Sequence, residues 1–175
     1  AILTHRGINI PLGASAAHIA SESSWEAFSA QVRDGLGLEF DIQPMRDGGF
    51  AISHDSHLGR ITRGELNISL SEISLSELYT MRLPGGRLCD LDELLLLLVE
   101  HGQTLSALHL KRTCQNDEAV DMLVVQLRPF IDKLAGRLIL FDVTPSAAKR
   151  LRAALPNSCL LDTSPSARDK RQALM

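Results

Sequence analysis

Residues 38–55 read LEFDIQPMRDGGFAISHD and carry two strand-like runs on either side of a glycine turn. Over residues 38–43 apolar and polar side chains alternate with the period of two that a β-strand imposes. Residues 47–49 are a turn signal, and the apolar residues 50–53 follow closely enough for a hairpin. The segment therefore predicts two consecutive strands that carry or precede ionisable side chains.

On both sides of this segment the chain alternates short strand-like runs with longer helix-like runs. Further strands are predicted at residues 2–5, 105–111, 137–143 and 159–161. Helices are predicted at residues 24–32, 90–100, 117–134 and 146–155, the third of them interrupted near Pro129. Asp90 and Glu93 have the spacing of a capping box at the start of the second helix. This order predicts an α/β fold with a mainly parallel sheet.

The sequence between the third strand and the second of these helices is irregular. Residues 56–90 contain short helix-like pieces, such as residues 74–81, and a Pro84-Gly85-Gly86 turn. We interpret residues 56–90 as a small insertion within a single domain that spans residues 1–175.

Composition and charge exclude several classes of protein. The 175 residues are 45% hydrophobic and 22% charged, which is typical of a globular domain. A net charge of -3 gives no reason to expect a nucleic-acid partner. The longest apolar run, residues 94–99, is far shorter than the roughly 20 residues of a membrane-spanning helix, so no transmembrane segment is predicted. No signal-peptide pattern is visible, and we therefore expect a cytoplasmic protein.

Ionisable side chains stand at or near the ends of most predicted strands. They are His5 and Arg6, Glu39 and Asp41, His54 and Asp55, His109 and Lys111, Asp142, and Asp162. In a β/α barrel the catalytic groups come from several strands and meet at the C-terminal ends of those strands. The pattern predicts a barrel with a polar mouth.

Two pairs of these residues suggest specific chemistry. Glu39 and Asp41 share one face of a strand with Cα atoms roughly 7 Å apart, so both carboxylates can reach one cation. Alternatively, they form the solvent-facing side of a half-exposed strand. His5 and His54 each follow an apolar strand, and two imidazoles can supply an acid and a base near neutral pH. Taken singly, each is alternatively a packed or surface histidine. Arg60 is interpreted as a solvated charge, or as a side chain that crosses the mouth.

Several short motifs share a characteristic order and spacing. They are His5-Arg6-Gly7, Glu22 before a helix, Glu39-Phe40-Asp41, Asp47-Gly48, His54-Asp55 followed by residues 58–62, and Leu91-Asp92-Glu93-Leu94. As a set they resemble the glycerophosphodiester phosphodiesterase family. The resemblance spans at least residues 4–111.

The resemblance implies a TIM (β/α)8-type barrel with a small insertion after the third strand. The implied reaction hydrolyses a small-molecule glycerophosphodiester to glycerol 3-phosphate and an alcohol, with a divalent cation, Mg²⁺ or Ca²⁺, as cofactor. In the family the nucleophile is thought to be the substrate's own glycerol hydroxyl, with a cyclic phosphate as intermediate. By position, the resemblance assigns His5 and His54 as the acid–base pair. It assigns Glu39 and Asp41 as metal ligands, and Arg6 and Lys111 as the cations that bind the phosphate. We count six strands where a complete barrel has eight, and therefore expect a barrel that is incomplete at its C-terminus.

One position departs from the family pattern. The family usually has an acidic third metal ligand two residues before the phosphate-binding lysine, and His109 stands there in this sequence. An imidazole can ligate, but it removes one negative charge and shifts the preference towards Mn²⁺, Co²⁺ or Zn²⁺. The alternative function is a catalytically impaired barrel that binds a phosphorylated ligand or a partner protein.

Overall fold

The computed structural model describes residues 3–7 and 21–162 of the chain. In the described part the strands are β1 (Leu3–His5), β2 (Gly37–Pro44), β3 (Phe50–Ile52), β4 (Arg82–Leu83), β5 (Gly86–Arg87), β6 (Ser106–His109), β7 (Leu138–Val143) and β8 (Cys159–Asp162). The helices are α1 (Trp25–Arg33), α2 (Leu75–Thr80), α3 (Leu91–His101), α4 (Asp117–Leu127) and α5 (Pro145–Ala154). The alternation of strands and helices is the one that the sequence predicts.

The main sheet has six strands among the described residues, in the order β1-β2-β6-β7-β8 with β3 attached to β2. The five strands of the ordered path pair in parallel. β3 runs antiparallel to β2 and forms the predicted hairpin with it. Parallel pairing brings the carboxyl ends of β1, β2, β6 and β7 to one edge, where the ionisable residues of the sequence are concentrated.

Two predicted elements end earlier than expected. The strand predicted at 105–111 ends at His109, because the chain turns after Leu110 into a 3₁₀ turn in which Cys114 N–H donates to the carbonyl of Lys111. Lys111 therefore follows the strand and does not lie in it. The helix predicted at 117–134 ends at Leu127, since Pro129 has no N–H with which to continue the hydrogen-bond ladder.

A polar N-cap residue starts each of the five described α-helices. The caps are Ser24, Ser74, Asp90, Asn116 and Thr144, and each side chain accepts a hydrogen bond from a backbone N–H of the first turn. Asp90 caps α3 as predicted. Its partner at the third position, Glu93, pairs with Arg87, so the reciprocal half of the predicted capping box is replaced by an ion pair.

Two clusters of buried side chains stabilise the structure. The larger lies between the sheet and helices α1, α3, α4 and α5, with Phe28, Phe40 and Leu108 fully buried. The smaller is built mostly from the segment 56–90, with Leu58, Leu70 and Leu88 fully buried against Ala51 of β3. The segment 56–90 thus has an apolar centre of its own and packs on the β2–β3 hairpin. In the described ranges, no helix is both long and apolar enough to cross a membrane.

Gly37, at the start of β2, lies where two backbones approach closely. A Cβ added there would sit 1.9 Å from the carbonyl oxygen of Leu105. Because backbone must then move, we expect Gly37→Ala to lower the free energy of unfolding by about 2 kcal/mol or more, measured by urea denaturation. Gly59→Ala is the control, since its added methyl meets the side chain of Asn67 at 3.2 Å. Equal midpoints for the two variants would contradict the prediction.

Candidate active site

The register of three strands brings four ionisable side chains together. β1 pairs with β2 so that His5 lies opposite Glu39, and β2 pairs with β6 so that Asp41 lies opposite His109. Alternate residues of a strand project from the same face of the sheet, so the side chains of Glu39 and Asp41 lie on one face. The side chains of their register partners, His5 and His109, project from that face as well. The sheet itself therefore assembles this part of the site.

The carboxylate of Asp41 lies at the centre of the group. Its side chain is 1% exposed, and three cationic or imidazole groups surround it. Nδ1 of His109 is 2.8 Å from Oδ1, Nζ of Lys111 is 3.6 Å from Oδ1, and Nε of Arg6 is 3.7 Å from Oδ2. Among the residues that the structure describes, Oδ2 of Asp41 and Nε of Arg6 have no hydrogen-bond partner although both are buried.

Glu39, Asp41 and His109 form a candidate metal centre. One ligand atom from each lies within 4.8 Å of the other two. Burial and the nearby charge of Asp41 raise the pKa of Glu39 above its usual value. A divalent cation fits this set, because it would neutralise two adjacent carboxylates, and Oδ2 of Asp41 has no hydrogen-bond partner among the described residues.

His54 lies at the edge of a cavity of about 480 Å³. Its Nδ1 is 2.6 Å from Oδ1 of Asp55. Its backbone carbonyl accepts hydrogen bonds from Nζ of Lys111 and, at 2.8 Å, from Nε2 of Gln43. The cavity is also lined by Asp55, Ser56, Arg60, Asn67, Lys111 and Thr113. Lys111 therefore connects the candidate metal centre with the cavity that holds His54.

The seven residues singled out from the sequence all belong to this connected region. Three of them, Arg6, His109 and Lys111, contact Asp41, and Glu39 accepts a hydrogen bond from the backbone N–H of Arg6. His5 joins them through Glu39, with Nε2 of His5 3.8 Å from Oε2 of Glu39 and the His5 side chain 64% exposed. His54 joins through its backbone carbonyl, and its ring pairs with Asp55.

An ion-pair cluster behind His54 is more extensive than the sequence predicted. Arg60 bridges two carboxylates, with Nε 2.5 Å from Oδ2 of Asp55 and NH2 2.5 Å from Oε1 of Glu22. Hydrogen bonding by Arg60 holds the pKa of Glu22 below its usual value. Burial raises the pKa of Asp55, but hydrogen bonds from Arg60 and His54 outweigh burial and leave this pKa lowered. Arg60 is therefore ion-paired with two carboxylates, although half of its side chain remains exposed.

A further carboxylate, Asp142 at the end of β7, reaches the group from the next strand. Its Oδ2 lies 3.2 Å from Nε2 of His109. In the sequence, the indication that Asp142 belongs to the site is its position at the end of a predicted strand. Asp162 has the same kind of position, so the sequence gives no reason to prefer Asp142 as a site residue.

A family model described as the glycerophosphoryl diester phosphodiesterase family matches residues 5–174. The match covers nearly the whole chain and confirms the resemblance carried by the motifs. No curated protein matches the chain in sequence.

Several solved structures have a similar fold. A Galdieria sulphuraria protein named as a glycerophosphodiester phosphodiesterase has a TM-score of 0.73 and 18% identity over 99% of this chain and 70% of that one. A glycerophosphoryl diester phosphodiesterase from Parabacteroides distasonis has a TM-score of 0.68 and 19% identity over 97% of this chain and 56% of that one. An Oleispira antarctica phosphodiesterase in complex with the product sn-glycerol-3-phosphate has a TM-score of 0.67 and 19% identity over 99% and 70%. These matches confirm the predicted α/β barrel fold.

The Arg60 cluster makes stability depend on pH. Glu22 and Asp55 have lowered pKa values in the folded protein, so their contribution is present above their unfolded pKa values, about 4.3 and 3.9, and is lost as pH falls through the folded values. We expect Arg60→Met to lower the free energy of unfolding by about 1 kcal/mol at pH 7, and the difference from wild type to shrink below about pH 4.

Urea denaturation of both proteins between pH 7 and pH 3 measures this difference. Arg63→Met, which removes a neighbouring exposed guanidinium, is the matched control. A difference that is constant across this pH range would contradict the assignment of the stabilisation to the two carboxylates.

Proposed function

The chain belongs to the glycerophosphoryl diester phosphodiesterase family, a family of phosphodiester hydrolases, and on that premise we propose that it hydrolyses glycerophosphodiesters to glycerol 3-phosphate and an alcohol. The observation that carries the proposal is the buried Asp41 carboxylate with Arg6, His109 and Lys111 around it and Glu39 beside it. This arrangement combines three residues that can bind a cation with the positively charged side chains of Arg6 and Lys111.

The fixed charges suit a phosphodiester substrate. Phosphoryl oxygens gain negative charge as the ester bond breaks, and preorganised cations stabilise that charge. Arg6 and Lys111 approach Asp41 from β1 and from the turn after β6, so both guanidinium and ammonium are held by the same carboxylate. Lys111 also lines the cavity beside His54, which gives a phosphate in that cavity a cationic partner.

Two histidines are available for proton transfer. Asp55 faces Nδ1 of His54, which leaves Nε2 of His54 as the nitrogen that exchanges a proton with substrate. Nε2 of His5 lies 3.8 Å from Oε2 of Glu39, and the exposed His5 ring is accessible to substrate. In our proposal one histidine takes the proton from the attacking hydroxyl and the other gives a proton to the leaving alcohol.

Glu39, Asp41 and His109 would hold a divalent cation. When bound, the cation supplies Lewis-acid stabilisation of the phosphoryl oxygens. The compact set of two carboxylates and one imidazole supports Mn²⁺, Co²⁺ or Zn²⁺ more than Mg²⁺ or Ca²⁺.

We expect removal of either catalytic histidine to abolish most of the activity. His5→Ala and His54→Ala should each lower kcat for glycerophosphocholine by about 100-fold or more, the usual contribution of general acid–base catalysis. The assay follows release of glycerol 3-phosphate with Mn²⁺ present. His101→Ala is the control, because His101 is exposed at the end of α3 and pairs with Glu100.

Two results would contradict the proposal. Near-normal turnover in His54→Ala would remove that residue from the mechanism. Wild-type protein that releases no product from glycerophosphocholine or from a synthetic bis-aryl phosphodiester, yet binds glycerol 3-phosphate, would favour the catalytically impaired barrel.

The identity of residue 109 should set the metal preference. We expect His109→Glu to strengthen Mg²⁺ and Ca²⁺ binding and to raise activity with these ions, because a third carboxylate adds charge and an oxygen ligand. Titration calorimetry of the two proteins with Mg²⁺ and with Mn²⁺ measures the change. Unchanged Mg²⁺ and Ca²⁺ affinity would show that residue 109 does not reach the metal.

A further inference from the structure

Asp142 lies at an irregularity in β7 that changes the direction of its side chain. The register between β7 and β8 shifts between Phe141 and Val143. Asp142, between them, has a φ of 59°, in the left-handed region that non-glycine residues seldom occupy. A bulge next to an active site commonly re-aims one side chain. Here the result is a carboxylate that contacts the neighbouring strand β6 at His109.

Three groups hold the imidazole of His109. Oδ2 of Asp142 is 3.2 Å from Nε2, and Oδ1 of Asp41 is 2.8 Å from Nδ1. The ring of Phe141 stacks on the imidazole with centroids 4.7 Å apart and planes 11° apart. The ring plane and both nitrogens therefore have defined neighbours.

Gln115 stabilises the unusual backbone at Asp142. Its Nε2 donates to the carbonyl of Asp142 at 2.8 Å, and its Oε1 accepts from the N–H of Thr144 at 2.7 Å. One side chain thus binds the backbone at the bulge and just after it. The position of the Asp142 carboxylate is built into the fold by these bonds, because an unsupported left-handed aspartate would relax.

The two nitrogens of His109 suit different tasks. A metal-ligating histidine uses the lone pair of one ring nitrogen, and its other N–H almost always donates to a carboxylate, a carbonyl or water. Nδ1 faces Oδ1 of Asp41 in the candidate metal centre, whereas Nε2 faces Asp142.

We propose that Asp142 is a positioning residue that accepts a hydrogen bond from Nε2–H of His109 and so presents Nδ1 as the third ligand of the metal centre. This inference rests on the proposed function insofar as that function uses a divalent cation. It accounts for the departure at residue 109, since the neutral ligand on β6 is accompanied by an additional carboxylate on β7. Asp142 acts on the cation site through this imidazole and does not itself contact the cation.

A double-mutant cycle tests the proposal through Mn²⁺ affinity. Asp142→Gly removes the carboxylate without straining the left-handed backbone, which glycine adopts freely. We expect Asp142→Gly to weaken Mn²⁺ binding by about 10- to 100-fold in calorimetry, the usual effect of removing such a partner. In the His109→Glu background the same substitution should not weaken binding, because no imidazole remains to be oriented.

The matched control is Asp34→Gly, which makes the same chemical change at the exposed C-cap of α1. Circular dichroism of each variant establishes that it is folded.

In the Zn²⁺-loaded wild-type protein, ¹⁵N spectra should show His109 protonated at Nε2.

The outcomes separate the two hypotheses. Wild-type protein that fails to bind Mn²⁺ overturns both the metal-dependent function and the inference. If wild-type binds Mn²⁺ and Asp142→Gly binds it equally well, the inference alone is wrong. Equal weakening in the wild-type and His109→Glu backgrounds also overturns it, because Asp142 would then act independently of the imidazole. A Zn²⁺ complex in which Nε2 of His109 is the metal ligand would also overturn the inference.

Discussion

The carboxylate of Asp41 is the group on which the arrangement of this site depends. Its side chain is almost completely removed from water, and an isolated buried ion costs several kcal/mol even after relaxation. The structure offsets this cost with Arg6, His109 and Lys111, which come from β1, β6 and the turn after β6. Among the described residues, Oδ2 of Asp41 has Nε of Arg6 at 3.7 Å but no hydrogen-bond partner, and this oxygen is the strongest structural indication of a cation site.

The site has two parts that the fold assembles differently. Glu39, Asp41 and His109 lie in strands of the parallel sheet, where strand register determines their neighbours. His54 lies after the antiparallel strand β3, and its orientation depends on Asp55 and then on Arg60 of the segment 56–90. The segment 56–90 has its own cluster of buried apolar side chains, which fixes the backbone at Arg60, and the Arg60 side chain extends from there to Glu22. Lys111 contacts both parts.

Much of this arrangement follows from local sequence patterns. The period of two over residues 38–43 places Glu39 and Asp41 on one face, and the strand-end positions of His5 and His109 predict that they meet there. The pairing of Arg60 with Glu22 could not be predicted in the same way, because the two residues are 38 positions apart and belong to different structural units. The early end of β6 was missed for a related reason, since the turn at Lys111 depends on tertiary contacts.

His109 shows why a departure from a family motif has to be interpreted together with its spatial neighbours. Considered alone, the exchange of an acidic ligand for an imidazole removes a charge and suggests a weakened site. In the fold, however, His109 pairs across the sheet with Phe141, and the next residue is the bulged Asp142. The bulge is supported from the side by Gln115, so three positions on two different segments act on one imidazole. Because parallel strands align their carboxyl ends, a side chain on one strand can orient a side chain at the end of the adjacent strand.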